Sequence, residues 1–414
     1  MPRLLLALLL TTLFGTCGRA PKTYEFPTPV DTTTRPIATQ EKQRYEFGNL
    51  YVDNLFDGAR LNAAERVNDT LLRVRIEPEN TPINASPWYA FRLRATEPLE
   101  ITVELTYAND YKHRYYPKLG YDERRRWVRA DSSRVWVAPD GRSAKVRVQL
   151  ETQQPVYLAG QEIINSADVA AWSADRAARH PDVVTPIEAG ESKLGRPLRG
   201  FTISKAPLGR RPTIVLFSRQ HPPEVTGYLA FQAFVDGILD HPYRDEFLEQ
   251  YQLLVYPLLN PDGVDLGHWR HTAGGIDSNR DWAFYRQPEA RQIAEDVIAR
   301  TRKAKGRVVI GMDFHSTYED VYYTHNNAVK IPTAVPGFKD AWLTAIERGI
   351  GGGFRINEEA EPIGKPTTMS WFRTQFGAEG ITYEIGDGTD RTFVRRKGLV
   401  SADALITTLL ARRP

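Results

Sequence analysis

The sequence predicts an all-β sandwich domain followed by an α/β domain with a mixed, largely parallel sheet and helices on both faces. Three observations predict it. Residues 45–156 carry short runs of alternating apolar and polar residues bounded by turn signals. From residue 165 onward, strand-like apolar runs alternate with helix-length ones, the pattern of a parallel sheet covered on both sides. His, Glu, Asp, Asn and Arg residues also gather just beyond the strand-like runs, where open α/β sheets bind ligands.

The chain has 414 residues, 41% hydrophobic and 25% charged, which is ordinary globular composition with room for two domains. Its net charge of +3 is not gathered into a stripe. Arg124 to Arg126 and Arg395 to Lys397 read as solvated faces, so no nucleic-acid partner is expected. Residues 1–20 read as an export segment: Arg3 precedes an apolar run, residues 4–14, that is too short to span a bilayer. The single cysteine follows in Phe14-Gly15-Thr16-Cys17-Gly18, which resembles a bacterial lipobox. The expectation is a periplasmic or outer-membrane-anchored lipoprotein if Cys17 is lipidated, and a secreted protein otherwise. Residues 21–44, rich in Pro and Thr without periodicity, read as a tether.

In the sandwich domain, residues 45–160, strands are expected at 71–76, 88–93, 99–105, 134–137 and 144–148. Pro139-Asp140-Gly141 is read as a turn between antiparallel neighbours. Tyr107, Tyr111, Tyr115, Tyr116, Trp127 and Trp136 read as packing aromatics. In the second domain, residues 165–412, strands are expected at 200–203, 212–217, 251–259, 307–312 and 380–385. Helices are expected at 168–179, 225–239, 289–302, 337–348, 370–375 and 399–412.

The stretch Arg219-Gln220-His221-Pro222-Pro223-Glu224 joins the strand at 212–217 to the helix at 225–239. The prolines suit a helix start, placing His221 near the N-cap and Glu224 in the first turn. An imidazole and a carboxylate fixed that way can hold two corners of a zinc tetrahedron. Alone this spacing is a weak signal, because eight histidines among 51 acidic residues produce such pairs by chance. Other strand ends carry Asn260-Pro261-Asp262-Gly263, read as a turn with Gly263 at a positive-φ position, then Trp269-Arg270 and Asp277-Ser278-Asn279-Arg280. Asp313-Phe314-His315-Ser316 and Glu384 follow at two more.

Together with Gly190-x-Ser192-x-x-Gly195-Arg196-Pro197, these motifs resemble, in order and spacing, the zinc carboxypeptidase family typified by carboxypeptidase A. The form Arg-Gln-His-Pro-Pro-Glu after a β-rich domain resembles in particular the cytosolic-carboxypeptidase branch and its exported bacterial relatives. The resemblance implies one Zn2+ per chain held by His221, Glu224 and His315, with a fourth position left for water. It implies Glu384 as the general base, Arg270 as the group that polarises the scissile carbonyl, and Asn279 with Arg280 as the binders of a terminal carboxylate. Asp313 would accept from a ligand imidazole. Met369 falls where the family's specificity residue sits, and Lys365 and Arg373 nearby would favour an acidic C-terminal residue. The family's mobile-loop tyrosine has no counterpart in residues 361–369. The implied partners are peptide or protein C-termini. The alternatives are a cell-wall peptide amidase, an N-acyl amino acid deacylase and a catalytically silent binding protein.

Overall fold

A computed structural model describes residues 24–412; the expected export segment, including Cys17, lies outside the described residues. The first region is built from two sheets. A six-stranded sheet takes the order β1 (Arg44–Phe47), β2 (Leu50–Asp53), β5 (Ala90–Ala95), β11 (Val156–Ala159), β7 (Lys118–Tyr121), β8 (Arg126–Arg129). A five-stranded sheet takes the order β3 (Ala63–Asn68), β4 (Leu71–Ile76), β6 (Leu99–Tyr107), β10 (Ser143–Leu150), β9 (Val135–Val137). Along β4 and β10 every second residue is buried, as period-two strands with one wet face require. Val52, Phe91 and Leu158 of one sheet share a core with Val74, Val103 and Val146 of the other. One pairing departs from the antiparallel expectation: β4 runs parallel to β6.

The second region is an eight-stranded sheet. Its order is β12 (Val184–Glu191), β13 (Pro197–Ile203), β15 (Gln252–Tyr256), β14 (Thr213–Ser218), β16 (Val308–Thr317), β19 (Glu379–Gly386), β17 (Val321–His325), β18 (Glu358–Glu361). The centre, β15-β14-β16-β19, is parallel, while β12, β13 and β17 pair antiparallel with their inner neighbours. Helices α2 (Val225–Leu239), α6 (Phe338–Ile350) and α8 (Arg391–Leu410) share one core with Ile214, Phe314 and Tyr383. Helices α5 (Pro288–Lys303) and α7 (Thr368–Phe376) share another with Val215, Phe217 and Leu254. The α/β expectation therefore holds, with helices on both faces.

Local signals account for most of these elements. Helix α1 (Ser166–Arg179) starts on a capping box, Asn165 and Asp168 bonding each other's backbone reciprocally. Helix α8 begins at Arg391 rather than at residue 399, because Asp390 caps it by accepting from the Phe393 N–H at 3.0 Å. Its basic first turns had masked the helical pattern. Strand β18 was not expected, since all four of its residues are exposed and no alternation marks it.

Two expectations are corrected. Asn260-Pro261-Asp262-Gly263 is not a turn with a positive-φ glycine but the start of helix α4 (Pro261–Leu266), with Asn260 capping the Gly263 N–H at 2.9 Å. Glycine is needed there for space, because a Cβ would stand 2.7 Å from the His271 carbonyl oxygen. Residues 31–43, expected within a tether, form no helix or strand but are bound along both domains. Gln287 donates to the Thr32 carbonyl at 2.9 Å, the Arg35 N–H to Gly274 at 2.8 Å, and Gln40 to Ala59 and Leu266 at 2.6 and 3.0 Å. Composition suggested mobility; the segment's polar groups instead find acceptors on folded loops.

Helix α2 crosses β16 so closely that a Cβ at Gly227 would lie 2.2 Å from the His315 carbonyl oxygen. Gly227→Ala is therefore expected to destabilise the fold by about 1–3 kcal/mol through overpacking. Gly364→Ala, with open space around its Cα, should stay within about 0.5 kcal/mol of wild type. Denaturant unfolding of both variants checks the pair.

Candidate active site

Three elements bring His221, Glu224 and His315 together. The loop after β14 carries His221, Glu224 is the N-cap of α2, and His315 lies inside β16. The two prolines thus precede the helix rather than opening its first turn. Arg219 holds this loop, donating to the Pro222 carbonyl at 2.8 Å from a positive-φ backbone. The ligand atoms of the three side chains all lie within 4.8 Å of one another. His221 Nδ1 stands 2.7 Å from Glu224 Oε1, and His315 Nδ1 stands 2.6 Å from Glu224 Oε2.

The far nitrogens are also engaged. His221 Nε2 is 2.9 Å from Asp277 Oδ1, and His315 Nε2 is 2.7 Å from Asp313 Oδ2. A carboxylate on each Nε2 favours the tautomer that leaves Nδ1 free for a cation. Asp313 is in turn held by Gln220 and Thr368. Two imidazoles and one carboxylate, each ring oriented by a second carboxylate, form a donor set suited to zinc.

Register places Glu384 beside this cluster. In the parallel pair β16–β19, His315 is the partner of Glu384 and Asp313 of Thr382. Phe314 and Tyr383, one residue out of phase, face the α2 core instead. Glu384 Oε2 is buried and has no hydrogen-bond partner. Burial, and then the negative charge of Glu224, push the Glu384 carboxyl up to about 8. Against the cost of its own burial, the two imidazoles hold Glu224 well below the usual carboxylate range. A divalent cation among these groups would draw Glu384 back down, so the orphaned carboxylate fits a metal-bearing site.

These residues line a cleft of about 450 Å³ together with Arg270, Asn279, Arg280 and Met369. Arg270 is oriented by Asp277, which accepts from its Nε at 2.8 Å. Asn279 Oδ1 accepts from the Thr368 N–H at 2.9 Å, tying the Asn279-Arg280 turn to the start of α7 and so to Met369. Lys365 also lines the cleft, but Arg373 does not act there. It is buried in an ion pair with Glu379 at 2.7 Å and donates to the Ile331 carbonyl, so the expectation that it faces the substrate is corrected. No tyrosine of residues 361–369 is present to enter the cleft, whereas Tyr318 and Tyr323 line it.

Sequence reasoning missed two contributions. Asp277, in the Asp277-Ser278-Asn279-Arg280 motif, touches both His221 and Arg270; its place two residues before Asn279 is the available signal. The sandwich domain also reaches the cleft, through Asn84, Ala85 and Arg114, and nothing in the local sequence marks them.

Fold and cluster together are those of a carboxypeptidase-like α/β domain with a candidate metal centre, and comparison with known proteins agrees. Residues 169–351 match the zinc carboxypeptidase family. The chain is 27% identical to zinc carboxypeptidase A 1 of Drosophila melanogaster over 258 residues, covering 53% of this chain and 60% of that protein. It is 23% identical to cytosolic carboxypeptidase 6 of Mus musculus over 297 residues, covering 65% of this chain and 53% of that protein. It thus spans under two thirds of the length of each. The crystal structure of a metallo-carboxypeptidase from Burkholderia cenocepacia has the same fold, with a TM-score of 0.73 at 17% identity over 88% of this chain and 100% of that one. Residues 169–351 accordingly match the zinc carboxypeptidase family, and His221, Glu224 and His315, all within that span, can hold one metal ion.

Asp277→Asn removes the charge that orients His221 and Arg270. Zinc affinity should fall about 10–100-fold, the usual effect of losing such a partner, as measured by competition with a chromogenic chelator.

Proposed function

We propose that this protein is a zinc metallocarboxypeptidase that hydrolyses the C-terminal peptide bond of peptides or proteins. The observation that supports it best is the single cleft holding the His221–Glu224–His315 cluster, the unpartnered carboxylate of Glu384, and the arginines Arg270 and Arg280. Bound zinc would supply Lewis acidity, polarising a carbonyl and making water acidic enough to attack it at neutral pH.

The chain's own groups supply the rest. Glu384 Oε2 has no competing donor, so it is available to take a proton from the attacking water and pass it to the leaving amine. Arg270, aimed by Asp277, donates to the scissile carbonyl oxygen as negative charge develops there. The Asn279 side-chain NH2 and the Arg280 guanidinium bind the terminal carboxylate, which restricts cleavage to chain ends. Met369 and Lys365 shape the recess for the departing side chain. Export belongs to the same reading: the Leu4 to Phe14 run and Cys17 support a lipid-anchored protein of the bacterial envelope, where peptide C-termini, cell-wall peptides included, are within reach.

The zinc-loaded wild type should release the C-terminal residue from a blocked peptide, lose activity on chelation and regain it with added zinc. Glu384→Gln should keep one zinc per chain while turnover falls at least ~100-fold, as expected for loss of a general base. Stoichiometric zinc with unchanged turnover in the variant would refute the assigned base, and zinc binding without any amide hydrolysis by the wild type would favour a binding protein. In a bacterial host, labelled acyl-chain incorporation should disappear in Cys17→Ser; label that persists removes the lipoprotein assignment.

A further inference from the structure

Arg270 stands in residues 267–277, which form neither helix nor strand. Such a stretch has no ladder to hold its backbone, yet stabilising developing charge demands a donor fixed in advance. The acceptor for this backbone comes from the sandwich domain. Glu79 Oε1 accepts from the Arg270 N–H at 3.0 Å and from the His271 N–H at 2.7 Å. Its Oε2 accepts from the Trp269 N–H at 2.7 Å. The next residue continues the grip: Asn80 Oδ1 lies 2.7 Å from His271 Nδ1, and Asn80 Nδ2 donates to the Gly275 carbonyl at 3.0 Å. Glu79 is fully buried. A buried carboxylate is costly to place, so one that reaches across from another domain calls for a reason.

We propose that Glu79 is a positioning residue for catalysis, setting the backbone from which Arg270 presents its guanidinium to the scissile carbonyl. This rests on the carboxypeptidase reading and deepens it, because it makes the sandwich domain part of the machinery for turnover. The geometry is specific to Arg270. Its own N–H lies in the peptide plane before its Cα, and the His271 N–H lies in the plane after it. Both end on the same carboxylate oxygen, so the two planes, and with them the direction of the Arg270 Cα–Cβ bond, are fixed together. At the other end of the side chain Asp277 accepts from Nε at 2.8 Å. The methylenes between are therefore held at both ends.

Chemistry also selects the residue type at position 79. Three donors that converge from one side need two oxygens and no competing hydrogen, which an ionised carboxylate offers. Glutamine has one oxygen, and its NH2 would confront an N–H of the loop. Domain docking by itself does not need this contact. Trp269 is buried in the sandwich core and its indole donates to the Trp88 carbonyl at 3.1 Å. Elsewhere Gln161 accepts from Lys118 at 2.6 Å and donates to the Asp387 carbonyl at 3.0 Å, tying the domains together away from residues 269–271. What Glu79 adds is control of the backbone on both sides of one catalytic arginine.

The test is a double-mutant cycle on the zinc-loaded full chain, with kcat and KM measured on a blocked peptide. Arg270→Ala should lower kcat by about 100-fold or more, the scale of losing an oxyanion donor. Glu79→Gln should lower kcat roughly tenfold to 100-fold, the scale of an ångström's misplacement, while KM changes little and one zinc per chain is retained. In the Arg270→Ala background the same change should cost nothing further, because the group it positions is gone. Glu79→Asp, with both oxygens on a shorter stem, should recover part of the loss; if Glu79→Gln does not fold, Glu79→Asp takes its place in the cycle. An unchanged kcat in Glu79→Gln, or losses that multiply in the double variant, overturns the proposal, the latter marking a general structural support. Gln161→Ala should lower the melting temperature without lowering kcat; a fall in kcat equal to that of Glu79→Gln means that loosened docking explains both, and also overturns it. A wild type that cleaves nothing overturns the carboxypeptidase reading and this proposal with it, whereas wild-type turnover with multiplying losses overturns this proposal alone.

Discussion

One buried carboxylate joins the two halves of the molecule. Glu79, fully buried in the loop after β4, accepts the backbone N–H groups of Trp269, Arg270 and His271 at 2.7, 3.0 and 2.7 Å. Successive N–H groups converging on one anion make a backbone nest. Stripping those donors from a buried charge costs several kcal/mol, so the sandwich and the catalytic domain are held in one relative position. Trp269 follows its backbone into the sandwich core, where it meets Tyr111 edge-on at 5.1 Å. Arg270, the residue between them in the clasp, is thereby presented to the cleft. Removing the sandwich would leave this arginine on an unsupported loop.

The metal cluster depends on a second constraint, the close approach of α2 to β16. Gly227 permits it, and the Gly227 N–H donates to Ser316 Oγ at 2.8 Å. That contact brings Glu224, one position before the helix, against His315. On the sheet itself, pairing places His315 and Glu384 side by side, and period-two geometry sends both away from the α2 core. Glu224, His315 and Glu384 are therefore set by regular elements, while His221 is set by the loop after β14 that Arg219 holds. Asp277, Asp313 and Gln220 lock their orientation from behind.

Much of this was legible in advance where the signal was local. Helix α2 occupies the expected residues 225–239 because its apolar face and flanking prolines mark both ends. The α/β alternation was legible because each strand buries both faces and so reads as a continuous apolar run, as in β14. Elements without such patterning escaped: β18 is exposed throughout, and the start of α8 is basic. Residues 31–43 misled for a related reason, since polar, proline-containing composition describes a free chain and says nothing of acceptors elsewhere in the fold.

The sequence by itself determined the secondary-structure rhythm and the two-part architecture, because helix and strand periods are properties of neighbouring residues, and the order of its motifs pointed to the donor set by resemblance. Only the tertiary structure decided which carboxylates back which imidazoles, why Gly263 and Gly227 must lack a side chain, and that Arg373 is spent on Glu379. It alone brought Glu79 beneath Arg270 and Arg114 into the cleft. Glu79 meets the Arg270 backbone across 191 positions and His221 meets Asp277 across 56, while the glycines answer to steric limits where two segments cross. These pairings and limits arise from register and domain docking, which no local pattern encodes.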